Sequence, residues 1–285
     1  ALFGVIAPII LVYLLGRIYN FTNEEAIFLG VTFAATSVSI SVEVLKELKK
    51  LDTKEGTTIL GAAVIDDILA VLILSVLVSI FSDVAQAEGG HTQSNLGVGI
   101  LIQVIYFIGI YLVFRWIAPL LMKISEKLPI SSSEILMSLV ICLGMAFFAD
   151  LVGLSAVVGS FFAGVAVAQT PYKQEIDSSI EPIGYAVFIP MFFVSIGLNM
   201  TFKGLLTNWL FIVILLVLAL LTKWGGCGLG AKMLGMSWHS GDIIGAGMVS
   251  RGEMALIIAQ VGYEAHLLSD KFYSSVIIVI ILTTI

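Results

Sequence analysis

The chain has 285 residues, of which 59% are hydrophobic and only 12% are charged. Soluble domains contain roughly 45–50% apolar residues, so this composition excludes an ordinary soluble protein and indicates a membrane protein. The net charge of −6 provides no basic surface for a nucleic acid.

Long apolar runs follow one another along the whole chain, with short polar gaps between them. A helix needs about 20 apolar residues to cross a bilayer, and by this criterion we expect about ten spanning helices. In chain order they cover residues 1–19, 26–48, 57–81, 96–122, 133–152, 154–169, 183–201, 208–234, 242–262 and 271–285. The sequence therefore predicts an all-α polytopic membrane protein without a separate soluble domain.

The first and last apolar runs begin and stop without the polar residues that normally bound a membrane helix. No basic leading region or small-residue cleavage site marks the first run as a signal peptide. We therefore expect the sequence to be a piece of a longer chain.

Lysine and arginine concentrate in alternate connections between the runs, and such connections stay on the cytoplasmic side. This places the stretch KELKKLDTKE, residues 46–55, inside and the stretch at 82–95 outside, as expected for a multi-pass protein of the plasma membrane or cell inner membrane. The connections predicted to be cytoplasmic contain nine basic residues, namely Lys46, Lys49, Lys50, Lys54, Arg115, Lys123, Lys127, Lys173 and Lys232. The connections predicted to lie outside contain three, namely Arg17, Lys203 and Lys271.

Ionisable residues inside the spans are expensive to bury and tend to mark ion pathways or proton relays. Asp66 and Asp67 are consecutive in the third run. Because neighbouring residues of a helix point about 100° apart, one carboxylate can line a cavity while the other meets a partner, for which Lys223 in the eighth run has the right depth. A purely structural ion pair is the alternative, but such a pair needs only one acid. Asp150 lies where a loop begins, and we expect it to be a solvated helix end.

The ninth run combines two further charges, Arg251 and Glu253, with three glycines at positions 245, 247 and 252. Glycine is a place where a membrane helix can open if the freed carbonyl groups line a cavity. From the residues alone, both a functional and a structural role for these two charges remain open.

The second run contains hydroxyl groups that lipid contact does not require. They line either an ion path or a close helix contact, and no glycine or proline in residues 31–48 indicates a break. The residues are Thr32, Thr36, Ser37, Ser39 and Ser41.

Taken together, the chain resembles the bacterial sodium/proton antiporters of the cation/proton antiporter superfamily, in the branch with paired aspartates. The resemblance covers essentially the whole chain, and the ordered set of motifs makes it specific. The motifs are ATSVSISVEVLKEL, GAAVIDDILAVLIL, GLSAVVGSFFAGVAVA, LTKWGGCGLG and GMVSRGEMALIIA.

The resemblance implies an inverted repeat with two discontinuous helices, 26–48 and 242–262, that cross at mid-membrane. It also implies about three further helices ahead of residue 1 and a homodimer when the chain is full length. The implied division is a core domain at 1–81 and 208–285, linking helices at 82–153 and part of a dimerisation domain at 154–207.

Roles follow from the resemblance by matching position. Asp67 is implied as the main cation-binding and proton-binding carboxylate, and Asp66 as the acid that pairs with Lys223. The other implied residues of the ion site and its charge partners are Thr36, Ser37, Arg251 and Glu253.

The implied activity is exchange of Na⁺ or Li⁺ for protons by alternating access, without a cofactor and without enzymatic catalysis. Withdrawing a carboxyl group from water favours its protonated form, and a cation competes for the same oxygens, so that proton and cation exclude each other. Burial likewise favours neutral lysine, and release of a proton from Lys223 would make the exchange electrogenic.

Three alternatives remain to be weighed. A K⁺/H⁺ antiporter or K⁺ efflux system of the same superfamily fits the same motifs, because the sequence gives no ion radius. An intramembrane aspartyl protease also buries two aspartates, but it takes them from different helices, and no G-x-G-D motif is present. A passive channel would lack proton coupling.

Overall fold

The computed structural model describes residues 1–87, 105–127, 129, 132–152, 154, 156–200 and 208–284. This part of the chain forms twelve helices and contains no strand, which confirms the predicted all-α class. The helices are α1 Leu2–Ile18, α2 Asn23–Thr32, α3 Val38–Glu47, α4 Lys54–Ala87, α5 Ile105–Ser125, α6 Ser133–Leu151, α7 Ala156–Ala168, α8 Lys173–Asn199, α9 Trp209–Met233, α10 Trp238–Gly247, α11 Glu253–Glu264 and α12 Asp270–Leu282. Helices α5 and α8 each contain a π-helical turn, at Val113–Ile117 and Gly184–Phe188.

Five of the described helices are long and apolar enough to cross a membrane, namely α4, α5, α6, α8 and α9. Helices α1, α7 and the apolar part of α12 are shorter. The described spans support a multi-pass membrane protein, while the count of about ten spans stays a prediction. The predicted fourth run lies in part, at 96–104, outside the described residues.

Two of the predicted spans are interrupted. Between α2 and α3 the chain leaves the helical path at residues 33–37, which we call the first break. Between α10 and α11 it does so at residues 248–252, the second break. The second break is flanked by glycines, as its sequence indicated, whereas no glycine or proline occurs in residues 31–48, which contain the first break. The order helix, interrupted helix, helix thus occurs twice, in α1–α4 and in α9–α12.

The chain divides into two compact units, Ala1–Leu77 with Asn199–Ile285 and Val78–Leu198. In the first unit α9 packs against α1, α10 and α12, and α2 packs against α1 and α11. In the second unit α6 packs against α7 and α8. Both breaks and all of the predicted ion-site residues belong to the first unit.

Helices α1 and α9 approach each other so closely that glycine is required at two facing positions. A Cβ atom on Gly226 would lie 2.8 Å from the carbonyl oxygen of Phe3, and a Cβ atom on Gly4 would overlap the Sγ atom of Cys227. The turn of α9 that carries Lys223 is thereby held directly against α1.

We predict that Gly4→Ala destabilises the protein, because overpacking a filled contact costs about 1–3 kcal/mol. The melting temperature of the detergent-solubilised protein should fall, and Cys227→Ala in the same chain should restore it by removing the overlapping sulfur. Gly225→Ala is the control, since a Cβ there meets nothing within 4 Å. A Gly4→Ala protein that melts with the wild type would contradict this close packing of α1 on α9.

Candidate functional site

A buried ion pair joins α4 to α9. The Nζ atom of Lys223 lies 2.5 Å from Oδ2 of Asp66, and both side chains are completely buried. The hydroxyl group of Thr36, in the first break, accepts a hydrogen bond from Lys223 Nζ at 2.6 Å and donates one to Asp66 Oδ2 at 3.0 Å. Buried charges are tolerated only when they are paired and hydrogen-bonded. The cluster of Lys223, Asp66 and Thr36 meets that condition for the Oδ2 atom of Asp66.

The two consecutive aspartates have different surroundings. Asp66 is fully buried, whereas Asp67 is only partly buried, because adjacent positions on α4 point in different directions. Two carboxylate oxygens, Asp66 Oδ1 and Asp67 Oδ1, are buried and have no hydrogen-bond donor in the described part of the chain. A buried oxygen without a partner is costly, so these two atoms mark a place where a proton or a cation can bind.

Glu253 occupies the point where the two breaks meet. Its carboxylate accepts hydrogen bonds from the hydroxyl groups of Ser37, at 3.1 Å, and Ser39, at 2.7 Å. Glu253 is the first residue of α11, and Ser37 caps the N-terminus of α3. The acid therefore lies at two helix N-termini, where the helix dipole favours negative charge.

Backbone groups freed by the breaks form hydrogen bonds between the two interrupted helices. The amide of Ser37 donates to the carbonyl oxygen of Ser250 at 2.9 Å, and the hydroxyl of Ser41 donates to that of Gly247 at 2.7 Å. By contrast, among the described residues the hydroxyl of Thr32 bonds only the carbonyl of Phe28, within its own helix. Four of the five hydroxyl residues noted in the second run thus reach other segments.

Arg251 is fully buried and forms no ion pair with any acid among the residues described. Its guanidinium donates to three backbone carbonyl oxygens instead. Arg251 and Glu253 therefore do not pair with each other, although only one residue separates them. Arg251 binds backbone carbonyl groups, whereas Glu253 binds serine hydroxyl groups. Asp150, in the last turn of α6, is exposed as expected.

One kind of contact had no signal in the sequence, and another had only a weak one. The carbonyl oxygens of Phe33 and Ala219, which Arg251 binds, are backbone atoms that any residue carries. The contact of Ser39 with Glu253 joins positions more than 200 residues apart, and only the cluster of hydroxyl residues hinted at it.

A family model described as "Sodium/hydrogen exchanger, transmembrane" matches residues 1–285. The Na(+)/H(+) antiporter of Enterococcus hirae is 50% identical over 287 residues, which cover 100% of this chain and 73% of that protein. The Na(+)/H(+)-K(+) antiporter GerN of Bacillus cereus is 45% identical, covering 100% of this chain and 71% of that protein. The high-affinity Na(+)/H(+) antiporter NhaS3 of Synechocystis is 30% identical, covering 100% and 61% respectively.

We predict that Thr36→Val lowers the melting temperature more than Thr32→Val does. Both threonines are fully buried, but only Thr36 bonds the ion pair, and its loss takes a partner from two buried charged groups, at a cost of about 1–3 kcal/mol. Thermal unfolding in detergent measures the difference. Equal melting temperatures for the two variants would show that the Thr36 hydroxyl contributes nothing to the cluster.

Proposed function

Because this chain belongs to the sodium/hydrogen exchanger family, we propose that it exchanges Na⁺ or Li⁺ for protons and that Asp67 is the carboxylate for which the two ions compete. The observation that carries this proposal is the pair of buried carboxylate oxygens, Asp66 Oδ1 and Asp67 Oδ1, that receive no hydrogen bond from any described residue. They belong to consecutive residues beside the first break.

The donor set fits a small monovalent cation. Hard cations prefer oxygen ligands from carboxylates, hydroxyl groups and backbone carbonyls. Asp66 and Asp67 supply the carboxylates, and Thr36 and Ser37 supply hydroxyl groups from the unwound segment. The Thr36 hydroxyl is already engaged with Lys223 and Asp66, so a cation that takes it must loosen the ion pair.

Exchange follows if Asp67 can hold a proton or a cation but not both. A bare carboxylate is expensive to move through the membrane, whereas the neutralised site is not. The site would then change its access from one side to the other only when one ion is bound. Each cycle carries a cation in one direction and a proton in the other.

Lys223 supplies a second proton in this scheme. When a cation draws Asp66 away, the lysine loses its ion partner inside a fully buried site, where an unpaired charge is unfavourable. Release of that proton makes the exchange electrogenic, and the membrane potential then contributes about 2.3 kcal/mol per charge per 100 mV.

We also propose the finer architecture expected of this family. The unit formed by Ala1–Leu77 and Asn199–Ile285 is the ion-carrying core, and its two sets of helix, interrupted helix, helix form the inverted repeat. If each interrupted helix crosses the membrane once, the twelve described helices make ten crossings. The dimerisation domain of a homodimer, expected at residues 154–207, is then limited to residues 154–198, which lie outside this unit. The connection between α3 and α4 faces the cytoplasm.

Potassium remains a second candidate cation. The relative from Bacillus cereus that is 45% identical to this chain is named an Na(+)/H(+)-K(+) antiporter. The oxygen donors of the site do not select an ion radius by themselves. The same vesicle assay that tests Na⁺ therefore includes Li⁺ and K⁺.

We predict that Asp67→Asn abolishes cation-driven proton movement, because an amide neither takes up the proton nor carries the charge that binds the cation. The assay is dequenching of a pH-sensitive dye in proteoliposomes of the full-length protein when Na⁺, Li⁺ or K⁺ is added. Asp150→Asn, the same change at the exposed acid of α6, should exchange like the wild type. Normal exchange by Asp67→Asn would refute the proposed role of Asp67.

A further prediction concerns Lys223→Ala. Without the second proton, any exchange that remains should be electroneutral, so its rate should no longer respond to an imposed membrane potential. Rates measured at several diffusion potentials test this, with the wild type as the reference. If the variant kept the voltage dependence of the wild type, the proton would have to come from another group.

A further inference from the structure

Arg251 is a buried cation that pairs with none of the acidic residues that the structure describes. Its side chain has no exposed surface, and the ion pair found among the described residues involves Lys223 instead. A buried charge is normally paired or coordinated, so other groups must stabilise the guanidinium in place of an acid.

Three backbone carbonyl groups take the place of the acid. Nε donates to the oxygen of Phe33 at 2.9 Å, Nη1 to that of Val249 at 3.0 Å and Nη2 to that of Ala219 at 2.8 Å. The ring of Phe33 also lies 5.5 Å from the guanidinium carbon, within the range of a cation–π contact. We call these three carbonyl groups the carbonyl cage.

Two members of the cage lie at the negative ends of helices. Phe33 is the C-cap of α2, and Val249 follows the C-cap of α10. Helix C-termini favour a positive charge, so the cage attracts a cation even without a carboxylate. Arginine also suits the site because its planar group holds several N–H donors in a fixed fork, which a lysine does not.

Each carbonyl group of the cage closely precedes, along the chain, a residue of the proposed ion site or one of its charge partners. Phe33 comes three residues before Thr36. In the same way, Ala219 lies one helical turn before Lys223, and Val249 lies four residues before Glu253. The guanidinium therefore ties together the three chain segments that carry these side chains.

We propose that Arg251 is a positioning residue whose guanidinium acts as a tethered cation in the carbonyl cage and sets the spacing of Thr36, Lys223 and Glu253. The inference rests on the proposed exchange function, since the spacing matters because those side chains serve the ion site. It adds a requirement to the proposed function. The geometry of the guanidinium N–H donors matters as well as the positive charge.

The experiment is chemical rescue. Arg251→Ala removes the guanidinium and leaves the cage, and exchange is measured in proteoliposomes of the full-length protein with and without millimolar guanidinium. Urea, which has the same planar shape but no charge, is the matched additive. Lys223→Ala is the matched variant, because guanidinium has no vacated cage to enter there. Arg251→Lys keeps the positive charge but lacks the fork of N–H donors. Its exchange rate tests the proposal even if Arg251→Ala does not fold.

We expect Arg251→Ala and Arg251→Lys to exchange Na⁺ at least about tenfold more slowly than the wild type, the loss that one charge-assisted hydrogen bond corresponds to. Guanidinium should raise both the exchange rate and the melting temperature of Arg251→Ala, whereas urea should raise neither, and Lys223→Ala should not respond. Wild-type exchange by Arg251→Lys, or a folded Arg251→Ala protein that guanidinium leaves unchanged in both measurements, would overturn the proposal.

The design separates this inference from the proposed function. The melting temperature reports binding of guanidinium to the cage without reference to transport. Wild type and Asp67→Asn are assayed in the same preparation, so a wild type that does not exchange counts against the proposed function. A wild type that exchanges, beside an Arg251→Ala protein that guanidinium does not rescue, counts against the role of Arg251 alone.

Discussion

The buried ion pair between Lys223 and Asp66 is the constraint on which the rest of the core unit depends. Two charges in a membrane protein interior are tolerated only with additional hydrogen bonds, and Thr36 provides them from an unwound stretch of chain. Unwinding frees backbone groups that cannot be left unsatisfied at membrane depth. Arg251 binds one of them, the carbonyl of Phe33, and Ser250 accepts from another, the amide of Ser37. The ion pair is therefore hydrogen-bonded by the first break, and the first break is in turn hydrogen-bonded by Arg251 and Ser250 of the second break.

The two consecutive aspartates have different surroundings because neighbouring positions on a helix point in different directions. One position on α4 faces α9, and the next is turned away from it, so only Asp66 can meet Lys223. Asp67 is only partly buried, and its Oδ1 atom receives no hydrogen bond within the described ranges, which fits its proposed role in binding an exchangeable ion. The pair also explains how binding at one carboxylate can disturb the other, since both are fixed to the same turn of helix.

The sequence predicted the elements that depend on local composition, and it missed those that depend on distant contacts. The bounds of α6 and α9 agree with the apolar runs to within a residue, because polar residues lie at the start of each run and a glycine follows its end. Helix α8 begins at Lys173 rather than at 183, because its first turns are charged and hydropathy alone does not show them as helix. The first break was implied only by the resemblance to a family, since the groups that stabilise it, Arg251 and Ser250, lie more than 200 residues away. Lys223 could be matched to an aspartate by depth, but the carbonyl cage could not be found from side-chain types.

The central claim is that one site binds a proton or a cation and never both. The most direct test is calorimetric titration of the purified full-length protein with Na⁺ in buffers of different ionisation enthalpy, which measures how many protons leave as the cation binds. The account predicts that protons are released in step with Na⁺ binding, as when any metal displaces protons from its ligands, and that the release disappears in Asp67→Asn. Sodium binding that releases no protons from the wild-type protein would contradict the account.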